Sequence, residues 1–286
     1  MKQAAWGCAR ERRRILLLRF FKRRLVVAGC LITLLMVILA VLAPLIAPYD
    51  IYAIDVAGKL RPPDGEHIFG TDHLGRDIFS RVLFATGISL RVGISSALVT
   101  FVCGLLLGLL AGYVRFLDNP IMRVCESLMA IPPILMAIAL VAVIGPSVGN
   151  VTAALSVVYT PAVARIARAS TLAIRETNYI EAVHALGAGK ARVILRHILP
   201  NAISPVIVQA THICAAAITI EASLSFLGVG VPEPAPSLGS MLFEAKSYIY
   251  NSWWMTLYPA LFTILNVLGI NLFGDGLRDV LDPLSN

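Results

Sequence analysis

Long stretches without a charged side chain constrain this sequence more than any other feature. No Asp, Glu, Lys or Arg occurs at 25–47, 92–114, 127–164, 198–220 or 247–274. A helix needs about 20 apolar residues to cross about 30 Å of hydrocarbon, so four of these runs each predict one crossing. The run at 127–164 is too long for a single one, reaching about 57 Å at 1.5 Å per residue. Gly145-Pro146 divides it into two spans joined by a tight turn. The prediction is an all-α integral membrane chain with six transmembrane helices. The first run exceeds the apolar core of a signal peptide, about 7–15 residues, and lacks a small-residue cleavage site, so it reads as an anchor.

Composition agrees. Charged residues make up 14% of the chain, where a soluble domain carries about 25%; too few polar groups remain to coat a water-facing globule. An ordinary soluble enzyme, a disordered chain and a disulfide scaffold are excluded. The net charge of +7 is concentrated, with nine of the 24 basic residues before residue 25. A basic tail leading into an apolar run is a topology signal drawn to anionic headgroups, with no nucleic-acid-reading module behind it. Cys8, Cys30, Cys103, Cys125 and Cys214 show no CxxC spacing and read as apolar fillers.

Lysine and arginine placement sets the orientation. With the amino terminus inside, the inner segments hold the tail, Arg115, Arg123, Arg165, Arg168, Arg175, Lys190, Arg192, Arg196 and Arg278. The outer ones hold Lys59, Arg61, Arg76, Arg81 and Lys246, with Arg91 at a span edge. Both termini are expected in the cytoplasm. The domain reading is 1–24 basic tail, 25–47 first span, 48–87 outer segment, 88–275 five-span core containing an inner loop at 165–201, and 276–286 inner tail.

Three water-exposed stretches remain. In the outer segment, turn-forming residues at 69–77 lead into an apolar helical face at Ile78, Phe79, Val82 and Leu83. This predicts a short interfacial helix before the second span, with Arg76 and Arg81 on headgroups. Glu66, His67, Asp72, His73 and Asp77 lie there too, but lack the i, i+4 spacing of paired histidine ligands, and turn chemistry accounts for each. The inner loop predicts two short amphipathic helices, one through Ile174, Tyr179, Val183 and Leu186 and one through Val193, Ile194, Leu195 and Ile198, broken by Gly187 and Gly189. A pair packed on headgroups is the plainer alternative; the acid Glu181 among six basic residues favours a protein partner. The third stretch, 221–251, holds Pro232, Pro234 and Pro236 and predicts a rigid, extended outer lid.

The string Glu181-Ala182-Val183-x3-Gly187-x9-His197-Ile198-Leu199-Pro200 resembles the EAA loop of ABC-importer permeases. Val183 stands for the second alanine of that pattern and His197 for its isoleucine; the histidine is similar to the peptide branch. Phe69–Asp77 with Phe79-Ser80-Arg81, then 223–228, then 271–279, resemble three further blocks of that branch in the same order. The match is to the dipeptide/oligopeptide/nickel family, C-type membrane subunit. It implies a type I ABC-importer permease-like fold with cytoplasmic coupling helices, in a bacterial inner membrane. It also implies a second permease subunit, two ATPase subunits and an extracytoplasmic substrate-binding protein as partners. Glu181, Ala182, Gly187, Ala188, Leu199 and Pro200 would then form the ATPase-coupling loop, with Glu181 pairing a basic residue of the ATPase.

No engine is legible in the chain itself. Gly189-Lys190 fails as a P-loop because His184 stands where its first Gly is required and Ala191 where Ser/Thr must follow. ATP and Mg²⁺ are expected on the partner ATPases, and neither a cofactor nor a metal on this chain, which has no catalysis of its own. Among ionisable groups, only His212 lies deep within a span, with Arg91 and Glu221 near span ends. His212 is a candidate for lining the pathway, although a histidine satisfied by a neighbouring helix is the plainer reading.

Overall fold

The computed structural model describes residues 24–281, with side chains through 279. The basic tail before Arg24 lies outside the described residues. The described chain is helical, and the only strand-like feature among these residues is an isolated bridge between Thr71 and Asp77.

The first helix, α1 (Arg24–Ile46), follows the first predicted span closely. The second departs from expectation. Instead of an interfacial helix followed by a span, α2 (Ile78–Tyr113) runs unbroken for 36 residues. It starts where the turn residues predicted, with the Asp77 side chain accepting from the Ser80 N–H at 2.8 Å, an N-cap. Nothing between 84 and 91 breaks it: Gly87 and Gly93 remain helical. Arg76 and Arg81, expected on headgroups, are 6% and 1% exposed. The reason is an ion network described below.

Helix α3 (Arg115–Met129) and α4 (Pro133–Ile144) follow. They meet at 93°, since Pro132-Pro133 removes two backbone donors and keeps the preceding residue out of the helical region. At 12 residues, α4 reaches only about 18 Å, so the third predicted crossing is a bent pair rather than a straight helix. The predicted turn at Gly145-Pro146 is present: Gly145 ends α4 with φ +89°, and Ser147 caps α5 (Val148–Arg175) by accepting from Asn150 N–H.

After α6 (Asn178–Ala185), a short α7 (Lys190–Val193) passes through a π-helical turn (Ile194–Ile198) into α8 (Leu199–Phe226). The stretch 190–226 is continuous. Pro200 lacks the N–H that would continue the ladder, which accounts for the widened turn before it. Asn201 Nδ2 donates to the His197 carbonyl at 2.7 Å, covering an acceptor beside that turn.

The predicted extended lid is partly helical. Ser237 and Ser240 form a reciprocal capping box, and α9 (Leu238–Ala245) packs against α8 and α10 (Trp254–Leu281). Two hydroxyl caps outweighed the prolines that precede them. Helix α10 begins at Trp254, and of the two adjacent tryptophans only Trp253 is exposed. Trp254 is buried and donates to the Thr71 carbonyl at 3.1 Å.

Among the described residues four stretches are long and apolar enough to cross a membrane, namely α1, α2, 190–226 and α10; the bent α3–α4 pair makes five. Helix α5 spans about 42 Å but carries Asn150, Thr152, Ser156, Thr160, Arg165 and Arg168. It lies along α2 over three turns. A Cβ on Gly104, Gly108 or Gly112 would come within 2.5, 2.4 and 2.7 Å of the Val163, Ala167 and Thr171 side chains. The small-residue stripe of α2 thus lets two backbones of one chain approach closely.

Candidate functional site

The inner loop forms the corner that its glycines predicted. Helix α6 ends in a Schellman motif: Gly187 N–H donates to the His184 carbonyl at 2.9 Å, and Ala188 N–H reaches back to Val183 at 3.3 Å. Gly187 has φ +82° and open space where a Cβ would stand. Its requirement is therefore conformational rather than steric.

Buried contacts hold the pair to the body. Ile180, Val193 and Ile198 are fully buried, and Val183, Ala188 and Leu199 pack partly against the same core. Tyr179 hydrogen-bonds His197 Nδ1, tying α6 to the π-turn. Glu181, Ala182, Gly187 and Pro200 are exposed. Leu186, predicted to belong to the apolar face, is instead 88% exposed, because the Schellman turn swings it outward at the apex.

Beside Glu181 lies a groove of about 540 Å³, lined by Tyr113, Arg115, Arg175, Ile180, His184 and Lys190 among others. Its floor is rigid. Arg175 caps the free carbonyls of Gly112 and Tyr113 at 3.1 and 3.4 Å, closing the end of α2. Arg168 grips Asp118 with both guanidinium arms. The loop helices thus stand on a fixed platform and present an acid, an apolar apex and a basic-rimmed groove. Such an arrangement suits a docking face.

His212 sits apart from the loop. Its Nε2 is 3.7 Å from Asp275 Oδ1 of α10, so it meets a neighbouring helix. Cys125 and Cys214 are buried, as apolar fillers should be, whereas Cys103 is exposed; Cys8 lies outside the described residues.

At the opposite end the turn-rich block assembles an ion network. Arg76 donates to Asp72 at 2.6 Å and to Glu244 at 2.7 Å, while Arg81 reaches Glu244 at 3.3 Å and the Ile51 carbonyl at 3.3 Å. Burial pushes the Glu244 carboxyl above its ordinary value, against the pull of Arg81 and Arg76. Asp72, His73 and Glu244 lie close enough to share an ion, but two guanidinium groups already use their carboxylates. Glu244 had no sequence signal beyond being one of few acids in a sparsely charged stretch. Glu221 was noted only near a span end. It is fully buried, accepting from Ser89 at 2.8 Å and Ser225 at 2.9 Å.

The geometry can be set against known proteins. Residues 104–285 match the family model described as binding-protein-dependent transport system inner membrane component, and residues 13–63 match the N-terminal TM domain of oligopeptide transport permease C. A putative peptide transport system permease protein of Brucella suis is 44% identical over 93% of this chain and 90% of its own length. A dipeptide transport system permease protein of Alkalihalophilus pseudofirmus is 40% identical over 92% and 86%. A glutathione transport system permease protein of Pectobacterium atrosepticum is 43% identical over 93% and 89%. Among solved structures, the inward-facing MetNI methionine ABC transporter shares the fold, with TM-score 0.59 and 23% identity, over 70% of this chain and 96% of that one. Sequence relationship along nearly the whole length and the shared helical architecture lead to one assignment: this chain belongs to the family of binding-protein-dependent transport system inner membrane components, as a membrane-embedded permease subunit of an ABC importer.

Proposed function

We propose that this chain forms, with a second permease subunit, the translocation path for di- and oligopeptides, driven by two ATPase subunits and fed by an extracytoplasmic binding protein. ATP and Mg²⁺ act on the ATPases, and the chain itself catalyses nothing. The observation that carries the proposal is the exposed, acid-bearing helix α6, which turns through the Gly187 corner into the unbroken helical stretch 190–226. A continuous helix transmits displacement along its axis. ATPase closure on the corner would therefore tilt that stretch and switch the path between inward- and outward-open states.

The charge distribution supports a cytoplasmic position for the loop. Arg115, Arg123, Arg175, Lys190, Arg192 and Arg196 gather at that end. Arg76 and Arg81 at the other end are offset by Asp72 and Glu244. The excess of positive charge on the loop side supports a reading in which both termini face the cytoplasm of a bacterial inner membrane. Peptide cargo follows from the names of the Brucella and Alkalihalophilus relatives. The glutathione relative supports a second reading, in which the same machinery carries glutathione; the family resemblance adds nickel or metal chelates.

The test is Glu181→Lys in the complete complex reconstituted in vesicles, with ATP-driven uptake of a labelled dipeptide as readout. Charge reversal at the docking face should abolish most uptake while the complex still assembles. Undiminished uptake would remove Glu181 from the coupling. Gradient-driven uptake by the purified chain alone would identify a secondary transporter instead.

A further inference from the structure

Arg91 is the fourteenth residue of the 36-residue α2, and no acidic group pairs with it among the described residues. Arg76 and Arg81, at the start of α2, are neutralised by Asp72 and Glu244, and Arg168, packed near its far end, by Asp118. Arg91 is also exposed. It borders a crevice of about 760 Å³ between α1 and α2, whose walls include Val37, Ala40, Phe84, Ile88 and Ile94. Its depth is considerable: Gly87, one turn earlier, lies against Ala40 of α1, well before α1 ends at Ile46. An unpaired guanidinium at hydrocarbon depth is costly, and such groups mark substrate paths.

We propose that Arg91 binds the carboxylate of a peptide in transit. The inference rests on the peptide-permease reading above and names a contact within that path. Carboxylate fits because its two oxygens match the planar fork of a guanidinium. The crevice is also of the size that encloses a small ligand, and Pro236 of the outer segment contributes to its lining. The apolar walls would take side chains while Arg91 and Ser95, one turn on, meet the polar end. A lipid phosphate shares the oxyanion chemistry, and the vesicle composition in the test below separates the two sources.

The experiment uses the complete complex in vesicles, with the loaded binding protein in excess. R91K, which keeps the charge but not the fork, should lose about threefold in uptake, R91Q about tenfold and R91E more. ATP hydrolysis and assembly should stay within about twofold throughout. A tripeptide with photo-leucine as its last residue should crosslink to residues 37–44 or 87–98. Unchanged uptake in R91Q, equal losses in R91K and R91Q, loss of assembly, or labels elsewhere would each overturn the proposal. So would an R91Q defect that vanishes in purely zwitterionic vesicles, which would assign the site to lipid. Absence of uptake by the unaltered complex would overturn the peptide reading itself, which separates the two failures.

Discussion

Arg76 and Glu244 stand 168 positions apart in sequence and meet at 2.7 Å. That contact joins the turn before α2 to helix α9, both at the end of the molecule remote from the Gly187 corner. Arg81 and Asp72 complete the group, and all four side chains are nearly excluded from solvent. Mutual satisfaction is what permits so much charge at that depth.

Removing one member of a buried network leaves the others uncompensated, which costs about 3–5 kcal/mol. Glu244→Ala should therefore lower the unfolding temperature and yield of the detergent-purified chain. Lys246→Ala, two residues on and with its cation over the Phe243 ring, should cost no more than about 1 kcal/mol. Thermal unfolding of the two variants side by side checks this, and equal effects would refute the network's structural role.

Gly108 and Gly187 should fail in different ways. A Cβ at Gly108 would lie 2.4 Å from Ala167 Cβ and 2.5 Å from the Ala164 carbonyl, so Gly108→Val should force α2 and α5 apart and prevent stable insertion. Gly187→Val meets no neighbour but strains a left-handed backbone by about 1–2 kcal/mol. It should leave insertion intact and uncouple ATP hydrolysis from uptake. Gly187→Asn should be milder, since asparagine tolerates that conformation. Expression level and the ratio of uptake to hydrolysis separate the two sites.

Leu186 is an exposed apolar apex and supports nothing within the chain. Leu186→Ser should leave the unfolding free energy within about 0.5 kcal/mol of the original, as for other surface positions. It should weaken association with the ATPase subunits about tenfold, the effect of losing a well-packed contact residue. Pull-down of the ATPases from a membrane extract against increasing competitor measures it. Unchanged retention would make the apex a bystander.

Glu221 accepts from two serine hydroxyls in a buried site. Glu221→Gln keeps an acceptor there and should be tolerated. Glu221→Leu leaves Ser89 and Ser225 without that partner, at about 1–3 kcal/mol for each unsatisfied group. Ser225 also accepts from Val231 N–H at 3.1 Å, so the outer segment after α8 should loosen first. Proteolysis after residue 227 reports that loosening, and equal resistance in both variants would show that the site plays no part in holding the segment.

Much of this molecule was legible in its residues. Uncharged runs announced α1, α10 and the apolar part of 190–226, because hydrocarbon tolerates no unpaired charge over about 20 residues. Gly145 marked a real turn, and the Gly187 corner appeared where its left-handed backbone demanded a residue without Cβ. These are local properties, set by a single side chain or by a run of neighbours. Tertiary structure decided what local pattern left open. It drew Arg76 and Arg81 out of the headgroup region and onto Glu244, in a segment far along the chain. It turned Trp254 inward onto Thr71, and it turned Leu186 outward onto nothing. It gave the polar α5 a glycine-lined wall. The division has one physical cause: charge balance and close packing depend on partners brought together only by folding, while solubility in lipid is a property each segment carries alone.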